Sequence, residues 1–148
     1  MITMIELKEI TRENLEKVLT LKVKKEQESF VALNAKSIAQ SKFYPSLVTL
    51  IVYNENEPVG FLMFGENETD GCMWIIRMMI DEKFQRKGYG REALRQLIEL
   101  IKKEYGCQEI FLSFDPENEA AKKLYESFGF YDTGKIEEGE IVYKLNLK

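Results

Sequence analysis

The chain has 148 residues, of which 45% are hydrophobic and 31% are charged, and its formal net charge is -4. This size and balance predict one globular domain over residues 1–148, and an acidic chain without clustered cations is not expected to bind nucleic acid. The chain contains no histidine. Ser-His-Asp and Cys-His mechanisms and His-ligated zinc sites are therefore excluded, so any general acid or base must be a carboxylate, Tyr, Lys, Cys or water.

The two cysteines predict neither a metal site nor a disulfide scaffold, because Cys72 and Cys107 are far apart and form no CxxC pair. No apolar run approaches the ~18–20 residues of a membrane span, and no signal-peptide pattern opens the chain. Free thiols are typical of a reducing compartment. The sequence therefore predicts a cytoplasmic protein without a membrane partner.

The hydrophobic pattern predicts alternating strands and helices. The first half of the chain predicts a strand at Leu7–Ile10, a helix from the N-cap Thr11 to about Val23, a short helix around Ala35–Lys42, and an antiparallel hairpin of Leu47–Tyr53 with Val59–Gly65. The second half predicts a strand at Cys72–Ile80, a long helix ended by Gly106, a strand at Glu109–Phe114, a helix within Pro116–Phe128, and a closing hairpin of Phe130–Lys135 with Ile141–Leu147.

The long helix has one apolar stripe, made of Ala93, Leu94, Leu97, Ile98 and Ile101. It lies between two predicted strands, and a strand–helix–strand unit implies a parallel strand pair. The whole pattern therefore predicts an α/β fold, with a mixed sheet whose faces are covered by helices.

Residues 85–91 (Gln-Arg-Lys-Gly-Tyr-Gly-Arg) form a glycine-containing turn between a predicted strand and the long helix. The first backbone N–H groups of a helix have no intrahelical partner and can bind an anion. Gly88 and Gly90 leave room for a phosphate, while Arg86, Lys87 and Arg91 add positive charge. The spacing matches neither GxGxxG nor GxxxxGK[ST]. An ordinary strand–helix turn with surface cations is the alternative.

Two motifs carry a resemblance to a known family. The first is Q-x-x-G-x-G at residues 85–90, after a strand that ends in Ile80-Asp81. The second is P-x-N-x-x-A-x-x-L-Y-x-x-x-G-F at residues 116–130. Together they resemble the signatures of the GNAT superfamily of N-acetyltransferases, and the resemblance covers nearly the whole chain. The strand 74–81 and the region 28–31 are most similar to bacterial spermine/spermidine (polyamine) acetyltransferases.

The resemblance implies the GNAT fold, a central and mostly antiparallel sheet in which the parallel strands 72–80 and 109–114 splay apart. It also implies acetyl-CoA as co-substrate, with no metal. The pantetheine arm would lie along the strand ending at Ile80, and the pyrophosphate would lie on the N–H groups of residues 86–91. The implied cofactor-binding residues are Met78, Met79, Ile80, Gln85, Arg86, Lys87, Gly88, Tyr89, Gly90, Arg91 and Asn118.

The implied reaction is direct attack of a neutral amine on the thioester carbonyl. A primary amine with a pKa of about 10.4 is almost fully protonated at pH 7, so a base is needed. With no histidine, the candidate bases are the carboxylates Glu26, Glu28 and Asp115, acting through water. A backbone N–H near Met79 would stabilise the oxyanion. Tyr125 would protonate the leaving thiolate, although its place on an apolar helical stripe also fits a core aromatic residue.

The sub-family resemblance implies a small amine as substrate, and a polyamine such as spermidine or spermine in particular. Glu26, Glu28 and Asp115 would attract its ammonium groups, although each carboxylate also fits a solvated surface. Trp74 would line the amine channel, although it fits a core aromatic residue equally well. Ile76 departs from the pattern, because some polyamine acetyltransferases have an acidic residue there.

Two other interpretations remain open. The acceptor could be a different amine, such as an aminoglycoside, an amino acid or a protein N-terminus. The chain could also be a non-catalytic module that binds acyl-CoA without turnover. In either case the closing strands present an edge through which a homodimer could form.

Overall fold

The computed structural model describes residues 4–147, which form a seven-stranded mixed sheet in the order β1-β2-β3-β4-β5-β7-β6. The strands are β1 Ile5–Glu9, β2 Leu47–Asn54, β3 Glu57–Glu66, β4 Met73–Ile80, β5 Glu109–Phe114, β6 Tyr131–Glu137 and β7 Glu140–Asn146. The helices are α1 Leu15–Thr20, α2 Asn34–Phe43, α3 Tyr89–Tyr105 and α4 Glu119–Ser127, with 3₁₀ turns at Lys25–Gln27 and Glu82–Phe84. The predicted order of strands and α-helices is confirmed.

The first helix is shorter than predicted at both ends. The helix begins at Leu15, and Thr11 caps the turn that precedes it: Thr11 Oγ1 accepts from the backbone N–H of Asn14 at 3.4 Å, and the backbone N–H of Thr11 donates to Asn14 Oδ1 at 2.7 Å. At the other end, the backbone N–H of Lys22 donates to the buried carboxylate of Asp81 at 2.9 Å. This long-range hydrogen bond holds the chain in an extended conformation after Leu21, which ends the helix before the predicted Val23.

The sheet separates two hydrophobic clusters. The larger cluster contains the α3 stripe predicted from the sequence, all of it buried, together with side chains of β3, β4, β5 and α4. The smaller cluster joins Val18 of α1 to Ile51, Phe61 and Met79 of the sheet, with Ile38 of α2 packed against it. Helices α3 and α4 therefore cover one face of the sheet, and α1 and α2 cover the other.

The parallel contact between β4 and β5 is very short. It consists of two residue pairs, Met73 with Ile110 and Trp74 with Phe111. Just beyond it, the pairing of β4 with β3 shifts register, so that Ile76 is an extra residue between Ile75 and Arg77. Such a bulge bends its strand and increases the local twist. The bend accompanies the separation of the two strands, and the predicted splay is present.

At the far end of the sheet, β6 is an edge strand. Its pairing with β7 is irregular between Asp132 and Ile136, and the Ile136 side chain is 70% exposed. None of the helices within residues 4–147 has both the length and the apolar character needed to cross a membrane.

Candidate active site

A cavity of about 790 Å³ occupies the gap between β4 and β5. Its walls come from both faces of the sheet: the segment 23–36 contributes from the side of α1 and α2, and the start of α3 together with α4 contributes from the other. The gap therefore connects two sides of the molecule. A long ligand can enter on one face while a second ligand approaches from the other.

The β4 side of the cavity is a strand edge without a neighbouring strand. Met78, Met79 and Ile80 line the cavity, and they pair on their other side with Leu62, Phe61 and Gly60 of β3. Within the part of the chain that the structure describes, no strand pairs with the β5-facing edge of residues 75–80. Backbone N–H and C=O groups are obligatory hydrogen-bonding groups, so this edge suits an extended ligand with amide groups of its own.

The turn at residues 85–91 has the backbone geometry of an anion site. Gly88 is the N-cap of α3 with φ of 84°, and a Cβ atom built there would meet nothing within 4 Å. Arg86 also has a positive φ, 64°. The free N–H groups of the α3 N-terminus follow directly and favour a phosphate. Arg86 and Arg91 line the cavity, whereas Lys87 is exposed and does not.

Side chains next to the turn hold it in place. Gln85 Nε2 donates to the carbonyl oxygen of Ile80 and to Gln27 Oε1, both at 2.9 Å. The hydroxyl of Tyr89 accepts from Asn54 Nδ2 at 3.1 Å. Both side chains are thus engaged within the protein, and their contribution to an anion site would come through their backbone or through the shape of the turn.

Asn118 and Tyr125 place polar groups on the α4 wall of the cavity. Asn118 is the N-cap of α4, and its Oδ1 accepts from the backbone N–H of Ala121 at 3.2 Å. Its amide Nδ2 is therefore a donor that the cap does not use. Tyr125 packs against Phe114 and Phe130, with ring centroids 5.5 and 5.7 Å away. Tyr125 therefore packs in the core and also lines the cavity, so its position agrees with both interpretations.

The hydroxyl of Tyr125 is a proton donor at any physiological pH. Burial, and secondly the negative charge of Glu140, raise the pKa of Tyr125 to about 12. The hydroxyl therefore stays protonated until the solution is strongly alkaline. A group in this state can donate a proton to a thiolate and cannot serve as the base that deprotonates an amine.

The structure does not bring the predicted acidic residues into this cavity. Glu26 and Glu28 are exposed and lie outside its lining. Asp115 also lies outside, and its Oδ1 accepts from the backbone N–H of Glu117 at 2.8 Å. Trp74 lines a neighbouring cavity of about 450 Å³ and stacks on Phe111 with ring centroids 5.4 Å apart.

Charged residues that the sequence motifs do not mark line the cavity instead. They are Lys24, Lys36, Arg77 and Glu140. Arg77 could have been noticed as a charge within an apolar strand, but no local sequence pattern marks Glu140 as a cavity residue. It reaches the cavity because β7 pairs with β5, and strand pairing over such a sequence distance is not visible in a short motif.

The chain is similar to known acetyltransferases. A model of the Acetyltransferase (GNAT) family matches residues 7–130. The spermine/spermidine N(1)-acetyltransferase of Bacillus subtilis strain 168 is 32% identical over 139 residues, covering 90% of this chain and 91% of that protein.

Two crystal structures have the same fold. A domain from Methanocaldococcus jannaschii superposes with a TM-score of 0.78 at 24% identity, covering 99% of this chain and 100% of that one. The spermidine N-acetyltransferase of Vibrio cholerae, in complex with CoA and spermine, superposes with a TM-score of 0.76 at 16% identity, covering 97% of this chain and 95% of that one.

Proposed function

Because the chain belongs to the GNAT family of acetyltransferases, we propose that it transfers the acetyl group of acetyl-CoA to a primary amine of a polyamine such as spermidine or spermine. That it is an acyltransferase follows from its family. The observation that carries the substrate class is the spermine/spermidine acetyltransferase relative from Bacillus subtilis, since the similarity extends over most of both chains.

The cavity fits acetyl-CoA in three respects. The free edge of residues 75–80 offers hydrogen bonds to the two amides of the pantetheine arm. The space around Gly88 and the N-terminus of α3 suit the pyrophosphate. The unused amide donor of Asn118, on the α4 wall of the same cavity, adds a further hydrogen bond for the ligand.

Acetyl-CoA supplies an activated thioester carbonyl when it is bound. A backbone N–H near Met79 on the free edge of β4 then donates to the carbonyl oxygen, whose negative charge grows as the amine attacks. The Tyr125 hydroxyl donates its proton to the sulfur as the carbon–sulfur bond breaks, and regains a proton from solvent. The new carbon–nitrogen bond leaves an acetylated amine and CoA.

Arg77 favours a second candidate, an amine acceptor that also carries a carboxylate, such as an amino acid. The Arg77 side chain lines the cavity. Its Nε is buried and has no hydrogen-bond partner within residues 4–147, while one of its terminal nitrogens donates to the carbonyl oxygen of Ile76 at 2.9 Å. A substrate carboxylate would satisfy such a guanidinium.

The proposed function is tested by measuring thiol release from acetyl-CoA with spermidine, spermine, butylamine and a set of amino acids at low ionic strength. A second ammonium group that reaches out of the cavity can meet Glu26 or Glu28, which are exposed and adjoin the lining residues Gln27 and Ser29 in sequence. A hydrogen bond to such a charged group contributes about 1.5–3 kcal/mol. Spermidine should therefore exceed butylamine in kcat/KM by roughly tenfold to more than a hundredfold. Equal values for the two amines would reject the polyamine assignment, and a preference for amino acids would establish the second candidate.

Binding of acetyl-CoA without thiol release in the presence of any amine would instead identify a non-catalytic acyl-CoA-binding module. An Arg77→Met variant separates the two acceptor classes further. It should lower kcat/KM for a carboxylate-bearing amine at least tenfold, and it should leave or raise kcat/KM for spermidine, because a positive charge is removed from the cavity.

Two further features belong to the proposal. A cytoplasmic location is supported by Cys72 and Cys107, which are both free thiols.

A homodimer formed through the edge strand β6 is supported by the exposure of Ile136 and Tyr131 on that strand. Sedimentation of the wild type against an Ile136→Lys variant tests the dimer, which the variant should convert to a monomer.

A further inference from the structure

We propose that Glu140 binds the reacting ammonium group of the acceptor and takes its proton. This inference rests on the proposed function only in requiring that the acceptor is an amine, and a polyamine is not necessary. Glu140 opens β7, directly after the turn at Glu138 and Gly139, and lies outside the two sequence motifs of the family.

Glu140 is the only carboxylate side chain among the described residues that line the cavity. The other charged side chains of the lining are all cationic: Lys24, Lys36, Arg77, Arg86 and Arg91. This excess of positive charge suits a phosphate-bearing co-substrate and repels an ammonium group. A cationic acceptor that enters the same cavity therefore has one side chain that can balance its charge.

The carboxylate of Glu140 is held at the open end of the sheet. Ser113 Oγ donates to Glu140 Oε1 at 2.8 Å. This contact lies beside the last pair of β5 with β7, Phe114 with Ile141, where β5 has already separated from β4. Within residues 4–147 no Lys or Arg nitrogen lies within 4.0 Å of the Glu140 carboxylate. Its negative charge is therefore oriented but not neutralised.

Tyr125 and Glu140 act on the same reacting centre from different elements. Both line the cavity, and the charge of Glu140 contributes to the raised pKa of Tyr125. One group is thus a protonated donor near the leaving sulfur, and the other is an acceptor near the attacking nitrogen. Other charged groups on the neighbouring elements are Arg77 on β4, Asp115 after β5, and Glu137, which pairs with Glu140 across the hairpin.

The proton balance requires such an acceptor. An alkylammonium group loses two protons when it becomes an amide. In the proposed step, Glu140 takes the first proton before attack and releases it to water. The second proton leaves the nitrogen for solvent as the tetrahedral intermediate collapses. The thiolate receives a proton from Tyr125, which regains one from solvent. The products are the acetylated amine, CoA and one proton in solution.

The test compares Glu140→Gln with the matched control Glu138→Gln, which makes the same change at an exposed position that lines neither cavity. At pH 7, Glu140→Gln should lower kcat/KM for the amine at least a hundredfold, with acetyl-CoA affinity and melting temperature close to the wild type. Glu138→Gln should stay within threefold of the wild type. Glu140→Asp should recover part of the activity, and Ser113→Ala should cost several-fold.

The pH profile separates a base from a purely structural residue. Without Glu140, only the free amine can react, and its fraction rises about tenfold per pH unit below a pKa of about 10.4. The deficit of Glu140→Gln should therefore shrink steadily from pH 7 to pH 9.5. A loss below threefold at pH 7, or a larger loss that stays constant over this range, would overturn the proposal.

Failure of the proposed function gives a different pattern. If the wild type prefers another amine to spermidine, the polyamine assignment fails, and the Glu140 test is carried out with the preferred amine. If no amine is acetylated at all, both proposals are rejected together.

Discussion

At the level of single residues, Tyr125 combines a packing role with a proposed chemical one. Its ring contacts Phe114 and Phe130, while its hydroxyl remains protonated because burial raises the pKa to about 12. Removing the hydroxyl and keeping the ring therefore separates the two roles.

We expect Tyr125→Phe to lower kcat at least tenfold while the KM for acetyl-CoA changes little, because only the proton donor is lost. The measurement is steady-state thiol release, with single-turnover kinetics to establish that chemistry limits the rate. Tyr143→Phe is the matched control: Tyr143 donates to Glu126 at 2.8 Å away from the cavity lining, so its loss should affect stability and leave kcat near the wild type. A near-native kcat for Tyr125→Phe would leave this residue with the packing role alone.

The two roles of Asn118 can be separated in the same way, because its side-chain oxygen caps α4 and the cap does not use its amide nitrogen. Asp is as good an N-cap as Asn, but it has no amide donor. We expect Asn118→Asp to raise the KM for acetyl-CoA about tenfold, with an unchanged melting temperature. Asn118→Ala, the control, should in addition destabilise the protein by about 1 kcal/mol. Unchanged affinity in Asn118→Asp would assign the residue to the cap only.

At the level of elements, the junction of β4 and α3 joins a free strand edge to a helix N-terminus. Gly88 lies at this junction in a left-handed conformation with open space around it. The absence of neighbouring atoms means that a substitution there meets no protein group. Its effect on binding therefore reports what occupies that space when the co-substrate is present.

We expect Gly88→Glu to abolish acetyl-CoA binding in calorimetry, because a carboxylate would face the pyrophosphate at the N-terminus of α3. Gly88→Ala is the control, since it carries the same backbone strain of about 1–2 kcal/mol without the charge. It should fold with reduced stability and bind within about tenfold of the wild type. Wild-type affinity in a folded Gly88→Glu protein would remove the pyrophosphate from this turn.

The sequence predicted the elements well where the signal is local. The α3 stripe, the hairpin of β2 and β3, and the stop at Gly106 all follow from periodicity or from a residue that tolerates positive φ. The end of α1 was predicted wrongly, because a hydrogen bond from Lys22 to Asp81 across the fold decides it. Local propensity contains no information about such a partner.

The same distinction between local sequence signals and long-range contacts applies to the site. The turn at residues 85–91, Asn118 and Tyr125 are all visible as sequence motifs. Every one of these residues except Lys87 lines the cavity. The acidic candidates Glu26, Glu28 and Asp115 lie outside the cavity wall, because charge and position in the sequence do not determine which carboxylates the fold brings to it. Glu140 enters the wall through the pairing of β5 with β7, which depends on the topology of the whole sheet.

At the level of the whole molecule, two tyrosines should make the free energy of unfolding vary with pH in the alkaline range. The pKa values of Tyr125 and Tyr143 are each raised to about 12, mainly by burial, whereas an unfolded tyrosine titrates near 10. Between these values the folded state holds more protons than the unfolded state. The stabilisation contributed by these two groups is therefore fully present below about pH 10, and it is lost as the pH rises towards 12.

We expect denaturant-induced unfolding to show a free energy that falls between pH 10 and pH 12. Lysines also titrate in this range, so the informative quantity is the difference between variants. Tyr125→Phe and Tyr143→Phe should each make the fall less steep than in the wild type, and the double variant should be the least steep. Parallel curves for all four proteins would show that neither tyrosine is shifted.

The short contact between β4 and β5 divides the sheet into two blocks that share few backbone pairs, although one hydrophobic cluster spans both. One block contains β1 to β4, the other contains β5, β6 and β7, and only two residue pairs join their backbones directly. In the position proposed above, acetyl-CoA would add cross-links between these blocks and would form one wall of the space that receives the amine. We therefore expect ordered addition, with acetyl-CoA binding before the amine, in steady-state product-inhibition patterns.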